Sequence, residues 1–270
     1  MTAPRLSVVL PVLAPTPFLR NMTEFAIKTL RINADDPTFE LIVCEAEHDY
    51  FAPYGHEGLR ETNNVPSWVD KYLNFNPKIG GVKEINAGID AASCEYILLA
   101  GTDIIAPNGW DTELLRLFAD RKDCGAATLS AYEPNATIGP TGPLDLVVEG
   151  MFSPFTMIRK PWRYDESYER VYQDSDMILR MYEAGLRSYR SCRKHVWHLG
   201  SVTNNGASQE HIDAHAKALA RDERLFYKRW GRSPLAAFAM MRGGAQVYGR
   251  EHEALVCNIN LHYDPNKEED

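Results

Sequence analysis

The chain has 270 residues, 44% hydrophobic and 24% charged, with a formal net charge of -8. That length buries a core without disulfides or metal, no apolar stretch approaches the roughly 18 residues of a membrane span, and the acidic balance disfavours holding nucleic acid through a general positive field. Cys44, Cys94, Cys124, Cys192 and Cys257 are dispersed and form no C-x-x-C pair, which argues against a disulfide framework and against a zinc cluster.

In chain order, residues 6–13 form an apolar, β-rich run that reads as a buried strand. Arg5 precedes it, but Pro11 interrupts it and no small-residue cleavage site follows. It is therefore a strand rather than a secretory signal, and a cytoplasmic protein is expected. Residues 21–32 have helical periodicity and residues 39–44 form a second buried strand, so the chain opens with a β-α-β unit. Such a unit pairs its strands in parallel through a right-handed crossover, and ligands bind at the edge where those strands end.

Residues 50–66 are rich in Gly, Pro, Asn and His and read as a loop. A short strand at 72–75, Gly80-Gly81, a helix over 82–92 and a strand over 96–100 follow, giving four strands of one continuous sheet. Pro107 suits the first turn of the next helix. Asp111 and Glu113 would sit at its positive end, and Leu114, Leu115, Leu117 and Phe118 on its apolar side. Residues 133–143 read as a loop, 146–148 and 155–158 as strands, and 162–168 as an aromatic, charged stretch. A helix over 175–184 stops at Gly185, and a strand at 194–199 and a helix at 209–230 follow. The apolar run 235–241 suits a helix that packs on the domain or joins two subunits, and the acidic tail 267–270 is expected to be solvated.

The strand at 96–100 ends on Gly101-Thr102-Asp103. A strand-end Asp can open a turn or cap a helix. It can also face a ligand, because the same sheet edge receives Pro11-Val12-Leu13 and Glu45-Ala46-Glu47.

The order SVVLPVL, FELIVCEAE, Asn86-x-Gly88-x-x-x-Ala92, EYILLAGTD, YDESYERVYQDSD, a helix ending in EAG and a strand closing on WH resembles the family 2-like glycosyltransferases of the GT-A fold. Residues 226–231, FYKRWG, are similar to the segment that often ends their catalytic domain, and the likeness covers residues 6–231. The resemblance implies an α/β fold with a mainly parallel central sheet flanked by helices. It implies a glycosyltransferase domain over 1–232, while residues 233–270, outside the likeness, read from their own sequence as a partly helical extension with a disordered tail. It also implies transfer of a sugar, with inversion, from a nucleotide-sugar donor to an acceptor hydroxyl.

In that family the strand matching 95–103 normally ends in Asp-x-Asp, whose acids bind a divalent cation, Mn²⁺ or Mg²⁺, held by the donor diphosphate. Here Gly101-Thr102-Asp103 stands in its place. The resemblance makes Asp103 the remaining metal ligand, with Gly101 and Thr102 beside the donor, and offers His198 as a second ligand. Strand alternation puts His195 and His198 on opposite faces, so one of the two enters the site. His198 can equally be a histidine with ordinary hydrogen bonds. The Glu-Asp pair that supplies the family's base reads Gln173-Asp174 here, so Asp174 is implied as the general base. The same position suits a helix N-cap. Glu45 stands where the family places an Asp on the nucleotide, Asn86 and Gly88 match the helix beneath the donor, and Pro11 and Leu13 match the first-strand end near the base.

Two other functions compete. A sugar-phosphate nucleotidyltransferase should carry a Gly-rich basic loop after the first strand, whereas residues 12–17, VLAPTP, hold neither Gly nor Lys. A non-catalytic nucleotide-sugar or carbohydrate-binding protein with a degenerate site is suggested by the missing first acid and by Gln173. The acceptor stays open between a glycan, a protein, a lipid carrier and a modified base. Residues 133–143, 149–152 and the stretch holding Trp162 and Tyr164 would border it.

Overall fold

The computed structural model describes residues 4–12, 16–46, 68–75, 78–132, 145–147, 154–199 and 209–231. Leu13, the expected loops at 50–66 and 133–143, residues 149–152 and the extension 233–270 lie outside them.

Strand periodicity sorts the apolar side chains onto two faces. In β1 (Ser7–Val12), Val8, Leu10 and Val12 enter one core and Val9 the other. Leu41 and Val43 oppose Ile42 and Cys44 in β2 (Glu40–Ala46), and Leu98 and Ala100 oppose Ile97 and Leu99 in β4 (Tyr96–Ala100). Strands apolar on both faces need helices on both. One core is closed by α1 (Pro17–Asn33) and α3 (Trp110–Asp120), and the other by α2 (Gly81–Ala91), α4 (Gln173–Glu183) and α5 (Gln209–Trp230).

The remaining strands are β3 (Lys71–Phe75), β5 (Ile104–Ile105), β6 (Cys124–Tyr132), β7 (Asp145–Val147), β8 (Phe155–Arg159) and β9 (Arg187–His198). The sheet runs β3-β2-β1-β4-β8-β6-β9-β5, with β7 also on β9. The expected run of four parallel strands is present as β3-β2-β1-β4. Because β8 is antiparallel to both β4 and β6, and β9 is parallel to β6, the strands β6 and β9 again run with β1–β4. Six strands thus end on one edge. The strand order reverses between β1 and β4, the point at which open α/β sheets leave a crevice.

Several elements differ from expectation: α1 begins at Pro17 rather than Asn21, and β5 was not read as a strand. β6 lies in the middle of the sheet although its sequence was not read as a strand, and β9 begins at Arg187 rather than Lys194. α3 starts at Trp110, after Gly109 at φ 62°, so Pro107 precedes the helix instead of opening it. The acids of its first turn are buried: Asp111 accepts from the amides of Asp35 and Asp36 at 2.8 and 3.0 Å, and Glu113 accepts from Ser191 Oγ at 2.5 Å.

Gly185, at φ 81°, does end α4, with Leu186 N donating back to Met181 O at 2.9 Å. This tight reversal sends the chain straight into β9, on which α4 packs. The N-terminus of α4 therefore lies toward the edge where β9 and β4 end.

Candidate functional site

Asp103 sits in the bend between β4 and β5. Its carbonyl accepts from Leu199 N at 2.9 Å, which ties the bend to the end of β9. Ile104 pairs with His198 in the antiparallel β5–β9 ladder. Cross-strand neighbours of this kind bring adjacent side chains together, and His198 Nε2 lies 3.4 Å from Asp103 Oδ2. His195 stands three residues earlier, in register with Ser130 of β6. The Asp103 and His198 side chains are 14% and 17% exposed, enough to be reached from the crevice.

Gly101 and Thr102 form the approach to this pair. A Cβ at Gly101 would lie 3.0 Å from Asp103 Oδ1 and 3.2 Å from Pro154 Cβ, and Gly101 N donates to Pro154 O at 2.7 Å. The glycine thus admits the chain's own Asp103 carboxylate and the Pro154 backbone. Thr102 is half-buried in the same bend.

Glu45 is fully buried at the end of β2, in register with Val12 and Asn74. Its Oε2 accepts from the Tyr72 hydroxyl at 2.5 Å, and Asn74 Nδ2 donates to that hydroxyl at 3.0 Å. Pro11 falls beyond the last β1–β4 pair, Val9 with Leu99, so its missing N–H removes no bond to β4.

Asn86 is also fully buried. Nδ2 donates to Tyr164 O at 3.0 Å and to Glu166 Oε1 at 3.1 Å, and Oδ1 accepts from Tyr164 N at 3.0 Å. These bonds fasten the loop 164–166 to α2. At Gly88 a Cβ would meet Val9 Cγ1 at 2.6 Å and Cys44 Sγ at 2.7 Å, so this glycine lets α2 rest directly on β1 and β2.

Asp174 lies inside the first turn of α4 and not at its cap. The cap position is held by Tyr172 at φ 63°, a left-handed conformation. Asp174 is half-buried, and its Oδ1 accepts from Ser175 N at 2.8 Å. Burial pushes its carboxyl above the ordinary carboxylate range, with the Ser175 amide pulling partly back. Burial and the charge of Asp174 together raise the Tyr164 phenol, which places that buried ring in the field of the carboxylate.

Three residues that the sequence left out of the site organise this turn: Arg229 and Asp222 were not singled out, and Asp176, expected to point away, is turned into the fold. Asp176 is fully buried and accepts from Arg180 Nε at 2.8 Å, Arg229 Nη1 at 2.8 Å and Trp230 Nε1 at 3.1 Å. Arg229 also reaches Asp165 Oδ2 at 2.6 Å. Asp222, fully buried on α5, accepts from the backbone amides of Glu169, Arg170 and Val171. The signal was present in the spacing: Ala218, Asp222, Phe226 and Trp230 recur every four residues, so an acid occupies the inner stripe of a helix. In the aromatic stretch 162–168, Tyr164 and Tyr168 are core residues with Trp162 packed against the same core, so the stretch packs as its sequence suggested and does not offer a stacking platform. The exposed ring at the strand-end edge is instead Trp197, 45% exposed and 4.0 Å from Tyr132 between centroids.

A carboxylate and an imidazole at the crevice are oxygen and nitrogen donors of the kind Mn²⁺ accepts. Among the described residues no group of three or more His, Cys, Asp or Glu side chains could hold a metal ion. Asp103 and His198 are two such donors that the fold brings together at the strand-end edge. Also among the described residues, no helix is long and apolar enough to cross a membrane.

The sequence matches no protein-family model and no curated protein. Solved structures do match. Staphylococcus aureus TarS superposes with a TM-score of 0.54 at 14% identity, over 73% of this chain and 37% of that chain. TarS 1-349 in complex with UDP-GlcNAc gives a TM-score of 0.51 at 15% identity, over 72% and 58% of the two chains. Its complex with UDP gives 0.54 at 13% identity, over 93% and 78%. The chain thus spans just over a third of the length of the first TarS chain. The fold is GT-A, a mainly parallel central sheet flanked by helices, as expected from the sequence.

Proposed function

We propose that the protein is a metal-dependent, inverting glycosyltransferase that moves a sugar from a nucleotide-sugar donor to an acceptor hydroxyl. The observation that carries this reading is the Asp103–His198 pair, 3.4 Å apart at the edge of a GT-A sheet where the strand order reverses. The UDP-GlcNAc and UDP bound by TarS support a uridine diphosphate sugar as the donor to try first.

Asp103 and His198 would hold the Mn²⁺ or Mg²⁺ ion. Bound there, the cation supplies charge stabilisation to the departing diphosphate. Glu45, held by Tyr72 at the end of β2, and Pro11 border the nucleoside, with Gly101 and Thr102 along the diphosphate. Asn86 serves this site by fixing the loop 164–166, and Leu13 is carried as a donor-side residue on the resemblance alone.

In the transfer, the acceptor oxygen bonds to the anomeric carbon as the bond from that carbon to the diphosphate breaks. The electron pair leaves on the phosphate oxygen, and the hydroxyl proton passes to the Asp174 carboxylate. A positioned base contributes typically ~100- to 10,000-fold. Burial raises the proton affinity of the Asp174 carboxylate, which strengthens it as the acceptor of that proton. A single displacement of this kind inverts the anomeric centre. Trp197 offers an apolar face at the same edge, which a sugar acceptor could use.

The test is release of UDP from UDP-GlcNAc with Mn²⁺. Turnover that Asp174→Asn abolishes, with UDP still bound, supports the assignment. Binding without turnover under every acceptor class, and with Asp174 intact, would instead favour a nucleotide-sugar-binding protein.

A further inference from the structure

Three successive backbone amides converge on one oxygen of Asp222. Glu169 N, Arg170 N and Val171 N lie 2.9, 2.8 and 3.1 Å from Oδ2, and Glu169 N also lies 3.1 Å from Oδ1. Consecutive N–H groups can share an acceptor only when the backbone curls into a concave nest. A fully buried carboxylate is tolerable only with such donors around it. Asp222 and the turn therefore specify each other.

The next residue, Tyr172, takes the left-handed φ of 63°. A bulky side chain keeps that conformation only where its surroundings impose it. Those surroundings come from α5 as well: the Tyr172 phenol is hydrogen-bonded to Glu223, and its ring lies 5.5 Å from that of Phe226. A further hold follows, because Arg229 bridges Asp176 and Asp165 at 2.8 and 2.6 Å, and Trp230 Nε1 reaches Asp176 at 3.1 Å. Asp174 stands between the two holds.

We propose that α5 is a positioning element for the general base: Asp222 and Arg229 fix the turn 169–176 so that the Asp174 carboxylate is presented to the crevice. This rests on the reading of Asp174 as base. α5 touches neither donor nor acceptor in this scheme. It acts through backbone geometry, so its loss should lower turnover and leave donor affinity in place.

The experiment compares wild type, Asp222→Ala and Asp222→Asn in the full chain. It measures UDP binding by calorimetry, kcat and KM for UDP-GlcNAc hydrolysis, and amide hydrogen exchange. Misplacing a catalytic group by about 1 Å costs on the order of 100-fold. Asp222→Ala should therefore lower kcat by about 10- to 100-fold, with KM and UDP affinity unchanged. Asp222→Asn keeps an oxygen for the three amides and should restore most of the loss. Exchange in Asp222→Ala should quicken at 169–176 while β1–β4 stay protected.

Unchanged kcat, or a fall matched by an equal loss of UDP affinity, would overturn the proposal. The exchange arm decides independently of turnover: wild type that binds no UDP sinks the donor reading. In that event faster exchange confined to 169–176 still supports the hold by α5, and unchanged or sheet-wide exchange refutes it. Should alanine prevent folding, Tyr172→Phe, which deletes one bond to α5 and little volume, carries the same comparison.

Discussion

His198 Nε2 and Asp103 Oδ2 lie 3.4 Å apart, although 94 residues lie between them in the sequence. They meet because β5 pairs antiparallel with the end of β9, setting Ile104 opposite His198. The pairing brings a carboxylate and an imidazole together beside Gly101, where the resembled family carries its first acid.

Restoring that acid should not improve the site. In Gly101→Asp the new Cβ would stand 3.0 Å from Asp103 Oδ1, with a second negative charge beside the first. We expect weaker Mn²⁺-dependent UDP binding than in wild type, measured by calorimetry. Tighter binding would show that the glycine is a defect and not a fitted residue.

The pH dependence follows from Asp174. Burial raises its carboxyl above the ordinary range, so the base form appears later as pH rises. The acid limb of kcat/KM should lie above the ordinary Asp value of about 3.9. The sign for stability is the reverse of a salt-bridged acid: the unfolded chain loses this proton first, so stability falls as pH rises between the unfolded and folded values. Asp174→Asn should thus be inactive yet at least as stable as wild type at pH 7 by urea denaturation. A marked loss of stability would make Asp174 a structural residue.

Asp176 should behave oppositely. Asp176→Ala removes the acceptor that Arg180, Arg229 and the Trp230 indole N–H share, leaving Arg229 only Asp165 and Arg180 only the Arg163 carbonyl among the bonds described. Breaking a buried pair costs roughly 3–5 kcal/mol, and about 3 is expected here because both guanidiniums keep access to water. Chemical denaturation measures it.

Gly88→Ala tests whether the helix motif is a packing device. Its Cβ would sit 2.6 Å from Val9 Cγ1. Overpacking of this kind costs about 1–3 kcal/mol. Melting should fall while UDP affinity is retained, and a loss of affinity alone would return Gly88 to the donor site.

How far the sequence carried differs by element. β1, β2 and β4 were legible because each is apolar on both faces, and α5 was bounded correctly by its periodicity. β6 was hidden by its composition, CGAATLSAY, which lacks the β-branched density of a strand. The small residues are imposed by packing: a Cβ at Gly125 would meet Leu186 Cβ at 3.0 Å and Met181 Sδ at 3.2 Å. The first half of β9 was hidden because arginines stand at every third position, Arg187, Arg190 and Arg193, around buried pairs, Ser188-Tyr189 and Ser191-Cys192, which breaks the period-2 pattern of a strand. At the site, strand alternation separated His198 from His195. The spacing of α5 puts Asp222 on its inner stripe, but its partners at Glu169–Val171, and the bonds from Arg229 and Trp230 to Asp176, lie more than forty residues away, which no local pattern encodes.

The central claim is tested most directly by calorimetric titration of UDP with and without Mn²⁺ into wild type, Asp103→Ala and His198→Ala. The result expected is Mn²⁺-dependent binding by wild type that either substitution removes, while melting temperatures hold. UDP binding that is indifferent to Mn²⁺ and to both substitutions would contradict a metal site at Asp103 and His198.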